Sequence, residues 1–229
     1  MCYNKQENEY NTQEGAHMDI NRVKRNELLG ERIIKGLKSR NMEGYYAGTK
    51  EEALKKALEL IPEGSSIGWG GSMSIKEIGL KDAVCTGNYK VFNRDVCKTP
   101  EEKREMELAT YGCDYFITSA NAITEDGVMV NIDGNANRVS AIAYGPKNVV
   151  MIVGMNKAVK TVDDAMSRAR NEAAPINAQR FGINTPCSKE GMCFDCKSPD
   201  TICCQIMITR FSKVPNRIKV ILVNEDLGF

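Results

Sequence analysis

Five of the nine cysteines fall between Cys187 and Cys204. Thiolates are soft ligands, and their spacing here is that of a metal loop: Cys193 and Cys196 form a Cys-x2-Cys pair, with Cys187 upstream and the adjacent Cys203 and Cys204 downstream. Zinc sites usually present two separated Cys-x2-Cys pairs, whereas a single pair with isolated flanking cysteines suits an iron–sulfur cluster at least as well. A 4Fe–4S cluster is therefore favoured over zinc, with uncoordinated or redox-paired thiols as the remaining reading. Cys187, Cys193 and Cys196 are the expected ligands. Adjacent residues on an extended strand face opposite ways, so the fourth is Cys203 or Cys204, and Cys203, nearer the loop, is favoured. Cys2, Cys85, Cys97 and Cys113 are scattered and read as small core or surface residues.

A second group of residues suits an anion. In Asn131-Ile-Asp-Gly-Asn-Ala-Asn-Arg138, polar residues and glycine interrupt an apolar strand–helix sequence. Asn131, Asp133, Asn135, Asn137 and Arg138 would supply amides, a carboxylate and a guanidinium at a strand end, where open α/β folds bind ligands. The same residues also suit an Asx-type turn and helix cap built on Asp133-Gly134. Gly70, Gly71 and Ser72 lie at a strand-to-helix junction, where glycine lets a ligand approach and the helix start offers free N–H groups. A plain turn needs the same glycines. Lys157, after another strand, is the candidate cation and, with Asp133, the candidate catalytic pair; alone it would read as a solvated surface lysine.

The elements that position these residues alternate. Apolar residues at helical spacing predict a helix from Asp19 to about Met42. Thr49-Lys-Glu-Glu52 caps a second helix, which Pro62-Glu-Gly64 closes before a strand at Ser66–Trp69. A third helix runs to about Leu80, a strand spans Tyr89–Asn93, and Thr99-Pro-Glu-Glu102 opens another helix. Tyr115–Ser119 and Val128–Ile132 read as strands, paired as a hairpin around the turn Glu125-Asp126-Gly127. Ala136–Tyr144 is helical, Val149–Val153 is a strand buried on both faces, and Val162 to about Ala173 is helical again. Residues 174–201 lose periodicity and read as a long functional loop before strands at Gln205–Thr209 and Ile218–Asn224. This order predicts an α/β fold, a mostly parallel sheet with helices on both faces, spanning residues 19–229 as one domain. Residues 1–18 read as a disordered or tag-like segment.

Composition narrows the function classes. With 42% hydrophobic and 27% charged residues in 229, the chain is of globular type. Its 31 basic and 30 acidic residues, net +1, are interspersed and give no basic stripe for nucleic acid. Apolar runs are too short to insert in a membrane, and no secretory signal is evident, so a cytoplasmic location with reduced thiols is expected.

Taken in order, Gly70-Gly-Ser72, Asn131-Ile-Asp-Gly-Asn-Ala-Asn-Arg-Val139, Tyr144-Gly-Pro-Lys147, Val153-Gly-Met-Asn-Lys157 and Ala173-Ala-Pro-Ile-Asn-Ala178 resemble the LUD (lactate-utilisation) domain family from about residue 24 onward. The resemblance implies a Rossmann-like fold similar to that of ribose-5-phosphate isomerases, glucosamine-6-phosphate deaminases and CoA transferases. Members such as lactate-utilisation protein C act with iron–sulfur proteins in oxidising lactate to pyruvate. It thus implies a redox-associated role in small-organic-acid metabolism, an anionic small-molecule ligand, iron–sulfur redox partners and room for a homo-oligomer. The alternatives are an isomerase, hydrolase or acyl/CoA transferase using the sugar-phosphate pocket, or a non-catalytic assembly subunit. Against isomerisation, the Asp133 loop has no second acid/base residue; against CoA transfer, no nucleophilic glutamate is evident.

Overall fold

The structure, a computed structural model, describes residues 19–229, so the expected tag-like segment at 1–18 lies outside the described residues. The first helix, α1 (Ile20–Ser39), is capped by Asp19, whose carboxylate accepts from Asn21 N and Arg22 N. Its apolar stripe buries Ile33 and Leu37 completely. A short strand not expected from the sequence, β1 (Glu43–Ala47), follows. The second helix, α2 (Lys50–Leu60), begins at Thr49 as its capping residues predict, with Thr49 Oγ1 accepting from Glu52 N at 3.3 Å.

Strand β2 (Ser66–Trp69) leads into α3 (Met73–Glu77), which stops short of the expected end near Leu80; Gly79, with φ 73°, turns the chain into a further helix not expected from the sequence, α4 (Leu80–Thr86). Strand β3 (Lys90–Phe92), the capping-box helix α5 (Pro100–Ala109) and β4 (Tyr115–Thr118) complete the first half. Next come β5 (Ala122–Thr124), β6 (Met129–Asp133), α6 (Asn137–Ala143) and β7 (Asn148–Gly154). A two-residue strand, β8 (Ala158–Val159), precedes α7 (Val162–Arg168). A π-helical turn at Ala169–Ala173 continues into α8 (Ala174–Phe181), then α9 (Pro186–Glu190), β9 (Gln205–Thr209) and β10 (Ile218–Val223). The segment expected to be a loop from 174 to 201 therefore holds two helices. Pro175 at the start of α8 needs no N–H partner in the preceding turn, and so ends no helix.

Six strands form one wholly parallel sheet in the order β1-β10-β7-β4-β2-β3. Alternation along β7 builds a core on each face: Val149, Met151 and Val153 pack with α1 and α6, while Val150 and Ile152 pack with α2, α3 and α4. Every one of these five side chains is fully buried, each worth roughly 1.5–3 kcal/mol of transfer free energy. That accounts for the unbroken apolar run in the sequence.

The second sheet, β8-β5-β6-β9, is mixed. The expected hairpin at Glu125-Asp126-Gly127 is present, but it joins β5 to β6; β4 belongs to the large sheet. Val130 and Ile132 of β6 pack on Ala165 and Ala169, while Met129 points the other way into the core beside α1. A close approach holds the two layers together. A Cβ on Gly36 of α1 would lie 2.3 Å from Asp126 O, and Gly127 has φ 86°, so only glycines allow the helix to rest on the hairpin turn. Strands Val128–Ile132 and Gln205–Thr209, expected in the parallel sheet, thus lie in this second layer, and the gap between layers becomes the candidate site.

Candidate functional sites: a cation-lined crevice and a cavity of thiols

The carboxyl ends of β2, β3, β4 and β7 open on a crevice of about 260 Å³ closed from the other side by β6 and α8. Seven of the residues singled out in the sequence line it: Gly71, Ser72, Asp133, Asn135, Asn137 and Arg138, together with Lys157. Gly70 and Asn131 do not. A Cβ on Gly70 would meet the Arg138 side chain at 2.6 Å, so its glycine serves the approach of that arginine. Asn131 is completely buried, and its Oδ1 accepts from Arg138 Nη1 at 2.6 Å.

The Asn131–Arg138 run is largely a structural knot. Asp133 Oδ2 accepts from Arg138 N at 2.9 Å and Val139 N at 3.0 Å, capping α6. Arg138 Nη1 also donates to Ser119 O at 3.1 Å, and Nη2 donates to Asn121 Oδ1 and Ile132 O at 3.1 and 2.6 Å. With every Nη proton engaged by protein, Arg138 offers a ligand its Nε and its charge. This is why a run with more polar residues than one cap needs is not thereby a binding loop: the surplus amides and guanidinium stitch β4, β6 and α6 together. Asn137 likewise donates from Nδ2 to Glu107 at 2.7 Å.

Three cations on the wall carry no motif: Arg94 after β3, Lys103 in α5 and Arg180 in α8. Arg94 pairs with Glu107 at 2.6 Å, and Arg180 lies with its guanidinium 4.1 Å from the Phe181 ring centre and its Nε bonded to Asn177. The wall thus holds five basic side chains, Arg94, Lys103, Arg138, Lys157 and Arg180, against one acidic side chain among the described residues, Asp133. Arg94 follows a strand end, which was the available signal; Lys103 and Arg180 sit on helices that only the tertiary fold turns inward.

Lys157, 2% exposed, is no surface lysine. It donates to Ser74 Oγ at 2.9 Å and Ser119 Oγ at 3.2 Å, and among the described residues no carboxylate lies within ion-pair distance. Burial, then the positive charges of Arg168 and Arg138, push its amine down to about 7.

The second site adjoins the first. Cys187, Cys193, Cys196 and Cys203 line one cavity of about 60 Å³ with Arg170 and Thr185, while Cys204 is exposed and its thiol turns to Thr201 O. Asp195 adopts φ 51°, the left-handed turn that folds Cys-x2-Cys back on itself. Cys193 Sγ accepts from Arg170 Nη2 at 3.6 Å and Asp195 N at 3.4 Å, so two donors face this sulfur. Burial, followed by the sulfurs of Cys193, Cys187 and Cys196, raises the Cys203 thiol to about 11. Among the described residues no three Cys, His, Asp or Glu side chains are drawn in to metal-holding distance, so the four thiols surround the cavity as donors without forming a finished cage. Of the other cysteines, Cys113 is buried, Cys97 half-buried and Cys85 exposed. Ile132 and Ile202 line both cavities, and Cys204 N donates to Asp133 O at 3.1 Å, so one thin wall divides them.

The LUD domain family model matches residues 30–223. The chain belongs to the LUD domain family. Its fold is similar to the crystal structure of a DUF162 family protein from Deinococcus radiodurans, at 13% identity and a TM-score of 0.52, covering 87% of this chain and 98% of that one. No curated protein matches. No described helix of this LUD domain is long and apolar enough to cross a membrane.

Proposed function

We propose that this LUD-domain protein serves lactate or small-organic-acid utilisation as a redox-associated protein that binds a small anionic metabolite in the crevice and a metal centre in the thiol cavity. The observation that carries this reading is adjacency: a crevice with five cations on its wall shares Ile132 and Ile202 with a cavity ringed by four thiols. Cys187, Cys193, Cys196 and Cys203 would hold the centre. An all-sulfur donor set fits an iron–sulfur cluster, with zinc the rival, and Arg170 beside Cys193 would offset part of the thiolate charge. A cluster would supply one-electron transfer, and iron–sulfur redox proteins would be its partners.

Capping of α6 by Asp133 weakens the isomerase alternative, because this acidic side chain of the wall already holds two backbone N–H groups. Purification without oxygen tests the metal directly. Brown protein with iron and acid-labile sulfide is expected; colourless protein with one equivalent of zinc would remove the redox role and leave the cysteines as a structural staple. Calorimetric titration with lactate, pyruvate and inorganic phosphate tests the crevice, and binding that is indifferent to Lys103→Ala and Arg180→Ala would place the anion elsewhere.

A further inference from the structure

The hydrogen bonds around Lys157 have a consequence for chemistry. Ser74 Oγ donates to Leu227 O at 3.3 Å, and Ser119 Oγ donates either to Ala120 O at 3.2 Å or to Ser74 Oγ at 3.3 Å. In both arrangements each hydroxyl spends its single proton away from Nζ and presents a lone pair to it. A neutral amine has two N–H donors and matches the two hydroxyls, which leaves its own lone pair unclaimed by the described residues. An ammonium would bring a third proton and a charge into a buried place beside Arg138 and Arg168, where no carboxylate of the described residues lies within ion-pair distance. The remaining wall supplies the complement: Arg94, Lys103 and Arg180 can hold an anionic group while a second group of the same molecule reaches Nζ.

We propose that Lys157 is a carbonyl-capturing amine: an anionic aldehyde or ketone, a 2-oxo acid or a phosphorylated carbonyl compound, condenses with Nζ to form an imine. The inference rests on the reading of the crevice as an anion site. The Nζ lone pair forms a bond to the carbonyl carbon, the C=O π electrons move to oxygen, and that oxygen takes a proton released by nitrogen. Departure of the oxygen as water, with the second amine proton, leaves C=N. No oxidant or reductant takes part. The groups that set the charge of Nζ are Arg168 and Arg138, which oppose protonation, and the more distant Glu77 and Glu172, which favour it, with burial the dominant influence. At pH 7 Lys157 then carries about a thousandfold more free amine than an ordinary lysine.

The test is reductive trapping. The full-length protein is incubated at pH 7 with cyanoborohydride and either pyruvate or glycolaldehyde phosphate, and the adduct is mapped by peptide mass spectrometry. Lys157 should be modified ahead of every surface lysine, inorganic phosphate should suppress the reaction, and the preferred probe tells a carboxylate-bearing substrate from a phosphorylated one. Lys157→Met, which brings no buried charge, should lose the adduct; should that variant fail to fold, the map on the native protein decides alone. Probe binding without an adduct on Lys157 overturns the inference and leaves the anion reading standing. If pyruvate, glycolaldehyde phosphate and phosphate all fail to bind the native protein, both fall together.

Discussion

The crevice and the thiol cavity share a wall but are held in different ways. Around the crevice, side chains from β4, β6 and α6 are fastened to one another: Arg138 alone makes four bonds through its Nη atoms, and Arg168 reaches Asn121 O and Asn156 O. Its geometry is set in advance of any ligand. The cavity is bounded by a chain segment whose large side chains are half-exposed, with Met192 57% and Phe194, on the cavity's rim, 52% exposed, and many of whose hydrogen bonds stay within the segment, such as Ser188 Oγ to Thr185 O and Asn184 N to Asp200. A polar crevice organised by packing and a sulfur cavity awaiting coordination respond to different perturbations.

The largest expected difference is in metal. Structural metal–thiolate binding is worth about 10 kcal/mol or more, so Cys193→Ser or Cys196→Ser should abolish bound iron or zinc and leave residues 187–204 open to limited proteolysis, with the rest of the chain resistant. Full metal content in either variant would mean that the cavity is not a metal site. Cys204→Ser, with its thiol turned to Thr201 O, should retain the metal.

Next in size is a pH effect confined to the crevice. The Lys157 amine is held down at about 7 in the fold against an ordinary value of 10.5, so between those pH values the unfolded chain binds more protons than the native one. Stability contributed by this site therefore rises as pH increases from about 7 toward 10.5, and below about 7 the buried charge exerts its full penalty, on the order of 5 kcal/mol. Lys157→Met should flatten that dependence in denaturant titrations across this window. A native protein with no such slope would place Lys157 in a better-solvated or ion-paired setting.

Arg138→Ala comes third. It leaves Asn131 Oδ1, Asn121 Oδ1, Ser119 O and Ile132 O without this donor and should lower stability by about 3 kcal/mol, where a ligand-only role would leave the melting temperature unchanged. The smallest effect is at Asp133. Asp133→Ala removes the α6 cap and should cost about 1 kcal/mol, while Asp133→Asn keeps an acceptor oxygen and should restore most of it. Equal loss in both variants would show that the negative charge, not the cap, matters there.

Local patterns are legible in the amino-acid sequence by itself. Thr49 and Thr99 announce helix starts, the run Asn148–Gly154 announces a strand buried on both faces, and Cys-x2-Cys announces a thiol turn, because each depends on residues within one or two turns of one another. The wall-lining positions Ser72, Asp133 and Lys157 can be chosen from their places at strand ends. What only the tertiary structure decided was whom each side chain met. The sequence offers five polar side chains from Asn131 to Arg138 but not the carbonyls of Ser119 and Ile132 that engage Arg138. Nor does it show that β5 and β6 leave the parallel sheet to form a second layer. Lys157 reads as a surface lysine until Ser74 and Ser119, 83 and 38 residues away, close over it. Local propensity reaches a few residues along the chain, whereas desolvation, hydrogen-bond partners and cavity walls are set by contacts between distant ones, and these decide which polar residue binds a ligand and which holds the fold.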